Sequence, residues 1–535
     1  MCRAGVRRPR MSQVLNVATQ EELLAALAVA QAGDRVLLAA GNYGALDLYA
    51  PRDTHIAYEG RVTIAAADPA EQPVFDRVMI TGARNLAFSN ITFAYTADGQ
   101  PQHDKPFHFR EVSDLRLENC VVQGDDPQTG HGLTIRDSSG IVLAGNSLDG
   151  FHRGAVITGS RDVKVMDNSV TNMGSDGLDF AGVDGVEITG NSLGDFAPLE
   201  GDSHRDFIQF WTAGGAGASQ NIQITGNAMR GSDVQAIFMR AETVDEAGAP
   251  LRYSNVSISN NVIVTDVWHG IHTAPTDGLS ITSNTVLPLT TREAGRQSSP
   301  VIYVDDSSTD VTVAANVSTG IESNDSAASA QWMVGNVVLQ DLTPSEGFYL
   351  QDHVLDDPIH DAVSGTLLNP SAGIAGMGAT ASHIDPAEDA VRIHTVGDGY
   401  GEFHFTVLAS SIGGSFIDPD QAVVTWTLPN GQTRTGPTLG IKAAEGLHAL
   451  DVTIDMPGQP SLKGSTTIAV SEQTTFSLTA QGGQLIETTA HGMNIVDAPM
   501  QSLDGQLGLA LAPGESVSMD PGDSFDMRDF RIGFD

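Results

Sequence analysis

Val163-Lys-Val-Met-Asp-Asn168, Val186-Glu-Ile-Thr-Gly-Asn191, Ile222-Gln-Ile-Thr-Gly-Asn227 and Val256-Ser-Ile-Ser-Asn-Asn261 are copies of one phrase. Each sets apolar residues on either side of a polar one and closes on Asn. Outward from these four, weaker or shorter copies end at Asn90, Asn119 and Asn146 upstream, and at Asn284, Asn316 and Asn336 downstream. Successive Asn residues lie 20 to 36 positions apart. A strand this short cannot bury its apolar face alone, so the copies must stack. The expected fold is all-β: a right-handed parallel β-helix, its hand following from the usual chirality of parallel crossovers. Asn suits a corner because it tolerates left-handed backbone angles and can bond to the Asn of the next coil. A β-sandwich would not repeat one turn word in this way.

The flanks set the organisation. Residues 1–12 are a basic head, expected to be disordered. The β-helix is expected over 13–345, opened by a cap helix at 19–31, where Thr19 and Glu22 form a capping box. The helix followed by Gly33-Asp-Arg-Val-Leu-Leu-Ala-Ala-Gly-Asn-Tyr43 resembles the N-terminal cap of pectate-lyase-like β-helix proteins. Such a cap covers strand edges that would otherwise invite aggregation. Residues 346–392 lose the repeat and read as a closing segment. Over 393–470, Val423-Val-Thr-Trp-Thr-Leu-Pro-Asn-Gly-Gln432 is a strand entering an Asn-Gly turn. That stretch resembles small β-sandwiches of the polycystic-kidney-disease type. Residues 471–535 are β-rich and resemble the opening of a lectin-like jelly roll.

Composition narrows the function. The 535 residues carry 28 Lys+Arg against 66 Asp+Glu, a net charge of −38, which argues against nucleic acid as a partner. It suits salty extracellular surroundings, or calcium as a cofactor. The two cysteines, Cys2 and Cys120, imply no disulfide framework. No apolar run has transmembrane length, so membrane insertion is not expected. The basic start lacks the apolar core of a Sec signal, so the expected location is extracellular by another export route, or virion-associated.

A second repeated strand follows each Asn corner, and its alternation places the second and fourth residues inside. The outward middle column reads Thr134, Val156, Asp179, Gln209, Phe238, His272, Tyr303. The next reads Arg136, Thr158, Ala181, Trp211, Arg240, Ala274, Asp305, and the preceding corner reads His131, Arg153, Asp176, Asp206, Gln235, His269, Pro300. A plain solenoid face would be Ser, Thr, Asn and Lys. This one gathers aromatic rings for sugar stacking, Arg for carboxylates and paired titratable groups for proton transfer, the needs of a polysaccharide groove. The insertion at 194–203 is expected to wall the cleft.

Ser175-Asp-Gly-Leu-Asp179, His204-Arg-Asp206 and Trp268-His-Gly270 resemble the Asn-Thr-Asp-Gly, Asp-Asp and Gly-His-Gly motifs of polygalacturonases. The resemblance implies catalytic roles for Asp176, Asp206 and His269. Arg205 stands where that family has its general-acid Asp, and the family's later Arg-x-Lys motif is missing. Polysaccharide lyases of the same superfamily neutralise a uronate with Arg or calcium and remove its C5 proton. That implies His204, Arg205, His269, His272 and Tyr303 as candidates. The expected catalytic set is His204, Arg205, Asp206, Asp176, Asp179 and His269. Arg153, Gln209, Trp211, Arg240, His272 and Tyr303 are expected to bind substrate. β-Elimination of an acidic polysaccharide is placed ahead of hydrolysis or epimerisation. The alternative is a phage-type tailspike, a homotrimer, binding a bacterial surface polysaccharide.

Overall fold

The computed structural model describes residues 12–198, 204–212, 217–289 and 298–326, and shorter stretches beyond, chiefly 390–397, 402–412, 415–417, 422–442, 446–455 and 461–470. The basic head, residues 199–203 of the insertion, and most of the closing and lectin-like segments lie outside the described residues.

Three parallel sheets of twelve, eleven and eleven strands run along a solenoid whose last described strand is Val337–Val338. Except at the two ends, each sheet takes every third strand, so one coil contributes one strand to each. The cap helix is Gln20–Val29. Thr19 Oγ1 accepts the Glu22 N–H at 3.2 Å, and the Glu22 carboxylate accepts the Ala18 N–H at 2.7 Å. Leu23, Ala26 and Leu27 seat the helix on the core. No helix among the described residues is long and apolar enough to cross a membrane.

The Asn corner resolves into two positions with different jobs. Asn146, Asn168, Asn191, Asn227, Asn261, Asn284, Asn316 and Asn336 form a buried ladder. Each side-chain carbonyl accepts both the backbone N–H and the side-chain N–H of the Asn one coil earlier, at 2.8–3.0 Å. The residue just before each rung holds the left-handed backbone: Gly145, Asp167, Gly190, Gly226, Asn260, Ser283 and Ala315 all have positive φ. Asn90 and Asn119, at φ 55° and 54°, belong to this turning position and not to the ladder. Buried Cys120 takes the rung above Asn146, whose side-chain carbonyl its N–H reaches at 2.9 Å. Asn90 and Asn119 thus share the expected corner, while the ladder itself starts at Asn146.

Inside, aliphatic side chains stack in register. Leu178 pairs with Ile208, Ile208 with Ile237 and Ile237 with Ile271, all buried. Beyond the solenoid, two antiparallel sheets share a separate core around Trp426 and Phe405, rings 5.9 Å apart, with Val424, Leu450, Val452 and Ile454. Trp426 Nε1 donates to the Gly436 carbonyl at 2.8 Å. The expected sandwich is therefore present as two packed sheets.

Candidate active site

The sheet that follows the ladder corner carries the site. Its middle column is paired in the expected order: Thr134 with Val156, then Asp179, Gln209, Phe238, His272 and Tyr303. The corner column departs at its end. A bulge between His269 and Ile271 pairs His269 with Val301, not with Pro300.

At the centre, three carboxylates lie buried on neighbouring coils: Asp176, Asp179 and Asp206. Arg153 reaches up from the coil below. Its Nη2 is 3.2 Å from Asp176 Oδ2 and its Nη1 is 2.9 Å from Asp179 Oδ2. Asp176 Oδ1 accepts the backbone N–H of Asp206 at 3.1 Å, tying the two coils together. Asp206 Oδ2 accepts from Gln209 Nε2 at 2.6 Å and faces His204 Nδ1 at 3.3 Å. The His204 ring is half exposed, so it is the outward face of a His–Asp pair.

The charges are in tension. Burial raises the Asp206 carboxyl to about 6, with repulsion from Asp176 adding to it. Burial, then the Asp176 carboxylate, pushes Asp179 well above the usual carboxylate range, and burial raises Asp176. The hydrogen bond to Asp206 raises His204. Burial is the main cause in each, carboxylate repulsion adds to it at Asp179 and Asp206, and Arg153 works against it at Asp176 and Asp179.

Two coils further on, rings replace charges. His272 lies parallel to Tyr303, centroids 4.8 Å apart and planes 9° apart. Phe238 packs on His272 at 4.7 Å and on His269 at 5.0 Å, and Trp268 meets Tyr303 at 5.6 Å. His272 Nδ1 donates to the Met239 carbonyl at 3.1 Å, which leaves Nε2 as an acceptor. Burial lowers His269 to about 4.

On the other side of the carboxylates sit three more imidazoles. His103 contacts His131 at 5.5 Å and His152 at 5.3 Å. Burial lowers His131 to about 3 and His152 to about 4. The loop bearing His103 is pinned by the Arg77–Asp104 ion pair at 2.6 Å.

Of the expected residues, Asp176, Asp179, His204, Asp206, Gln209 and Arg153 converge on one cluster, and His269, His272 and Tyr303 on the ring platform. Arg205 does not open onto the groove. It is 3% exposed, and its guanidinium donates to the Ala197 carbonyl. That bond anchors the described part of the insertion, where Phe196 packs edge-on against Phe207. Arg240 is exposed beside Glu242, at 3.8 Å. Trp211 lies next to the cluster on the chain, and its Nε1 is buried without a partner among the described residues. Trp268, Phe238, His103, His131 and His152 were not among the expected site residues. Phe238 and His131 stood in the columns and Trp268 beside one, but His103 lies on a loop that no repeat predicts.

Calcium does not fit the carboxylate cluster. Arg153 already supplies positive charge between Asp176 and Asp179, and no group of three or more candidate ligands among the described residues is arranged to hold a metal.

The family described as "right handed beta helix region" matches residues 76–197, which fixes the hand of the solenoid as expected. The match ends before the sandwich, so the polycystic-kidney-disease likeness rests on the quoted residues alone. No curated protein matches the sequence. Among solved structures, the surface adhesin PfbA of Streptococcus pneumoniae is similar at 12% identity and TM-score 0.36, over 55% of this chain and 84% of that one. A pectate lyase from Bacillus sp. N165, in complex with trigalacturonate, is similar at 9% and 0.31, over 49% and 84%. The Dettilon tailspike protein is similar at 11% and 0.30, over 93% and 88%. Similarity this low transfers nothing about the site.

Proposed function

We propose that this chain cleaves a polysaccharide by hydrolysis in the groove, with His204 and Asp206 as its proton-transfer pair. One observation carries the reading: Asp206, raised to about 6 by burial and neighbouring negative charge, lies directly behind the half-exposed His204. A group titrating near working pH suits general acid–base catalysis. The carboxyl groups and the cations at hand separate the chemistries. Hydrolysis passes through a sugar with oxocarbenium character, which negative potential stabilises. Elimination builds negative charge beside a uronate carboxylate, which an ionised carboxylate nearby opposes. It also needs a free cation, but Arg153 is held by two carboxylates and Arg205 is buried on Ala197. The exposed guanidinium of Arg240 is what supports elimination as the second reading.

The test is a panel of neutral and uronate polysaccharides, assayed for both new reducing ends and the ultraviolet absorbance of unsaturated sugars. Reducing ends without that absorbance, lost in Asp206→Asn, support hydrolysis. Unsaturated products would give elimination. Tight binding with no product of either kind would return the tailspike reading.

A further inference from the structure

We infer that the ring platform C-terminal to the carboxylates binds a neutral sugar unit, so that the glycan this groove takes is uncharged there and not a polyuronate. The inference rests on the proposed cleavage reading and names its substrate class. Three features of the structure support it.

The platform is built for an apolar face. Trp268 is 39% exposed and meets Tyr303, and Tyr303 lies flat on His272, which packs on Phe238. Ring faces take up the C–H face of a pyranose by dispersion and area burial, without regard to charge. These rings also hold one another, so little side-chain freedom is lost on binding.

The polar edges of the platform are neutral. His272 spends its Nδ1 proton on the Met239 carbonyl and presents an acceptor, which suits a sugar hydroxyl and not a carboxylate. His269 Nδ1 is engaged by the Gln235 side chain. Burial keeps both imidazoles below their ordinary value, so neither carries positive charge near neutral pH.

The surroundings offer a uronate carboxylate little to pair with. The buried carboxyl groups of Asp176, Asp179 and Asp206 lie on one side, and Asp305 acts on both His272 and Tyr303 from the other. Among the described residues, Arg153 is committed to Asp176 and Asp179, His204 faces Asp206, and Arg240 has Glu242 beside it. Salt does not screen the buried members of this set as it screens surface charge.

The experiment measures binding in the absence of turnover. Full-length Asp206→Asn protein is titrated with neutral gluco-, manno- and galacto-oligosaccharides and with oligogalacturonates and oligomannuronates, at low and high salt. The expected result is binding of a neutral member that is indifferent to salt, weakened up to about tenfold in Trp268→Ala and Tyr303→Ala backgrounds. Uronate oligomers bound in preference, with affinity falling as salt rises, would overturn the inference while leaving cleavage itself intact. Neutral binding that both platform variants leave unchanged would also overturn it. If no oligomer binds and the parent chain releases no product from any glycan, both this inference and the cleavage reading fail.

Discussion

Arg153 Nη1 lies 2.9 Å from Asp179 Oδ2, and among the described residues it is the one ion-pair partner of that buried carboxyl. Its second nitrogen serves Asp176. Breaking a buried pair by removing one partner is costly, because the remaining charge is left uncompensated; typical losses are about 3–5 kcal/mol. Arg153→Met should therefore lower the melting temperature and drive both carboxyls to hold protons more tightly. An unchanged melting curve would show that Arg153 does not stabilise the cluster.

The pH dependence has a definite sign. Asp206 is raised in the folded chain, so folded protein binds that proton more tightly than unfolded. Its contribution to stability is full below the ordinary carboxylate range and is lost as pH rises through about 6. If the protonated carboxyl serves catalysis, turnover falls over the same window. His131, depressed to about 3, works oppositely: its neutral form is favoured, and its contribution is lost as pH falls below the ordinary histidine value. Asp206→Asn should flatten the upper limb of stability against pH and cost roughly 10²–10⁴ in rate. Urea unfolding across pH, with parent and variant in parallel, reads the first effect, and initial rates read the second.

Asn191→Ala tests the ladder. The Asn191 carbonyl accepts the Asn168 backbone N–H, and its own amide donates to Val165 O and Asn227 Oδ1. Truncation leaves a buried backbone N–H unpaired, at about 1–3 kcal/mol, besides the lost bonds. The expected loss is roughly 2–4 kcal/mol by denaturant unfolding. A loss under about 0.5 kcal/mol would mean the rungs are decoration.

Ile208→Asp tests the core register. Ile208 is fully buried between Leu178 and Ile237. An unpaired carboxylate there should cost several kcal/mol and yield insoluble or unfolded protein. A soluble variant melting with the parent would place Ile208 outside the solenoid interior.

The lattice was legible in the sequence, and what hangs from it was not. The order Thr134, Val156, Asp179, Gln209, Phe238, His272, Tyr303 follows from strand alternation, and pairing preserves it rung for rung. His269 slipped because a bulge adds a residue that periodicity cannot announce. Asn90 and Asn119 mark the corner without joining the ladder, because one residue type serves two neighbouring positions, the left-handed turn and the rung. Arg205 was misplaced because alternation gives a side for strand residues, whereas Arg205 precedes the strand Asp206–Phe210 and turns to Ala197. His103 was missed because its loop folds back onto His131 through contacts outside the repeat.

The Asn ladder also works as a ruler. Each rung advances the chain by one inter-strand spacing, about 4.8 Å, whatever the length of the loops between strands. The carboxylate cluster and the ring platform are thus held apart by a whole number of steps. A glycan whose repeat is commensurate with that pitch can present equivalent groups to successive rungs, while one with another repeat falls out of phase within a few units. Pitch would then act as a filter alongside charge. Splicing one complete coil in between Gln209 and Gln235 would move the platform by one step and leave the carboxyl cluster and the ring stack each intact.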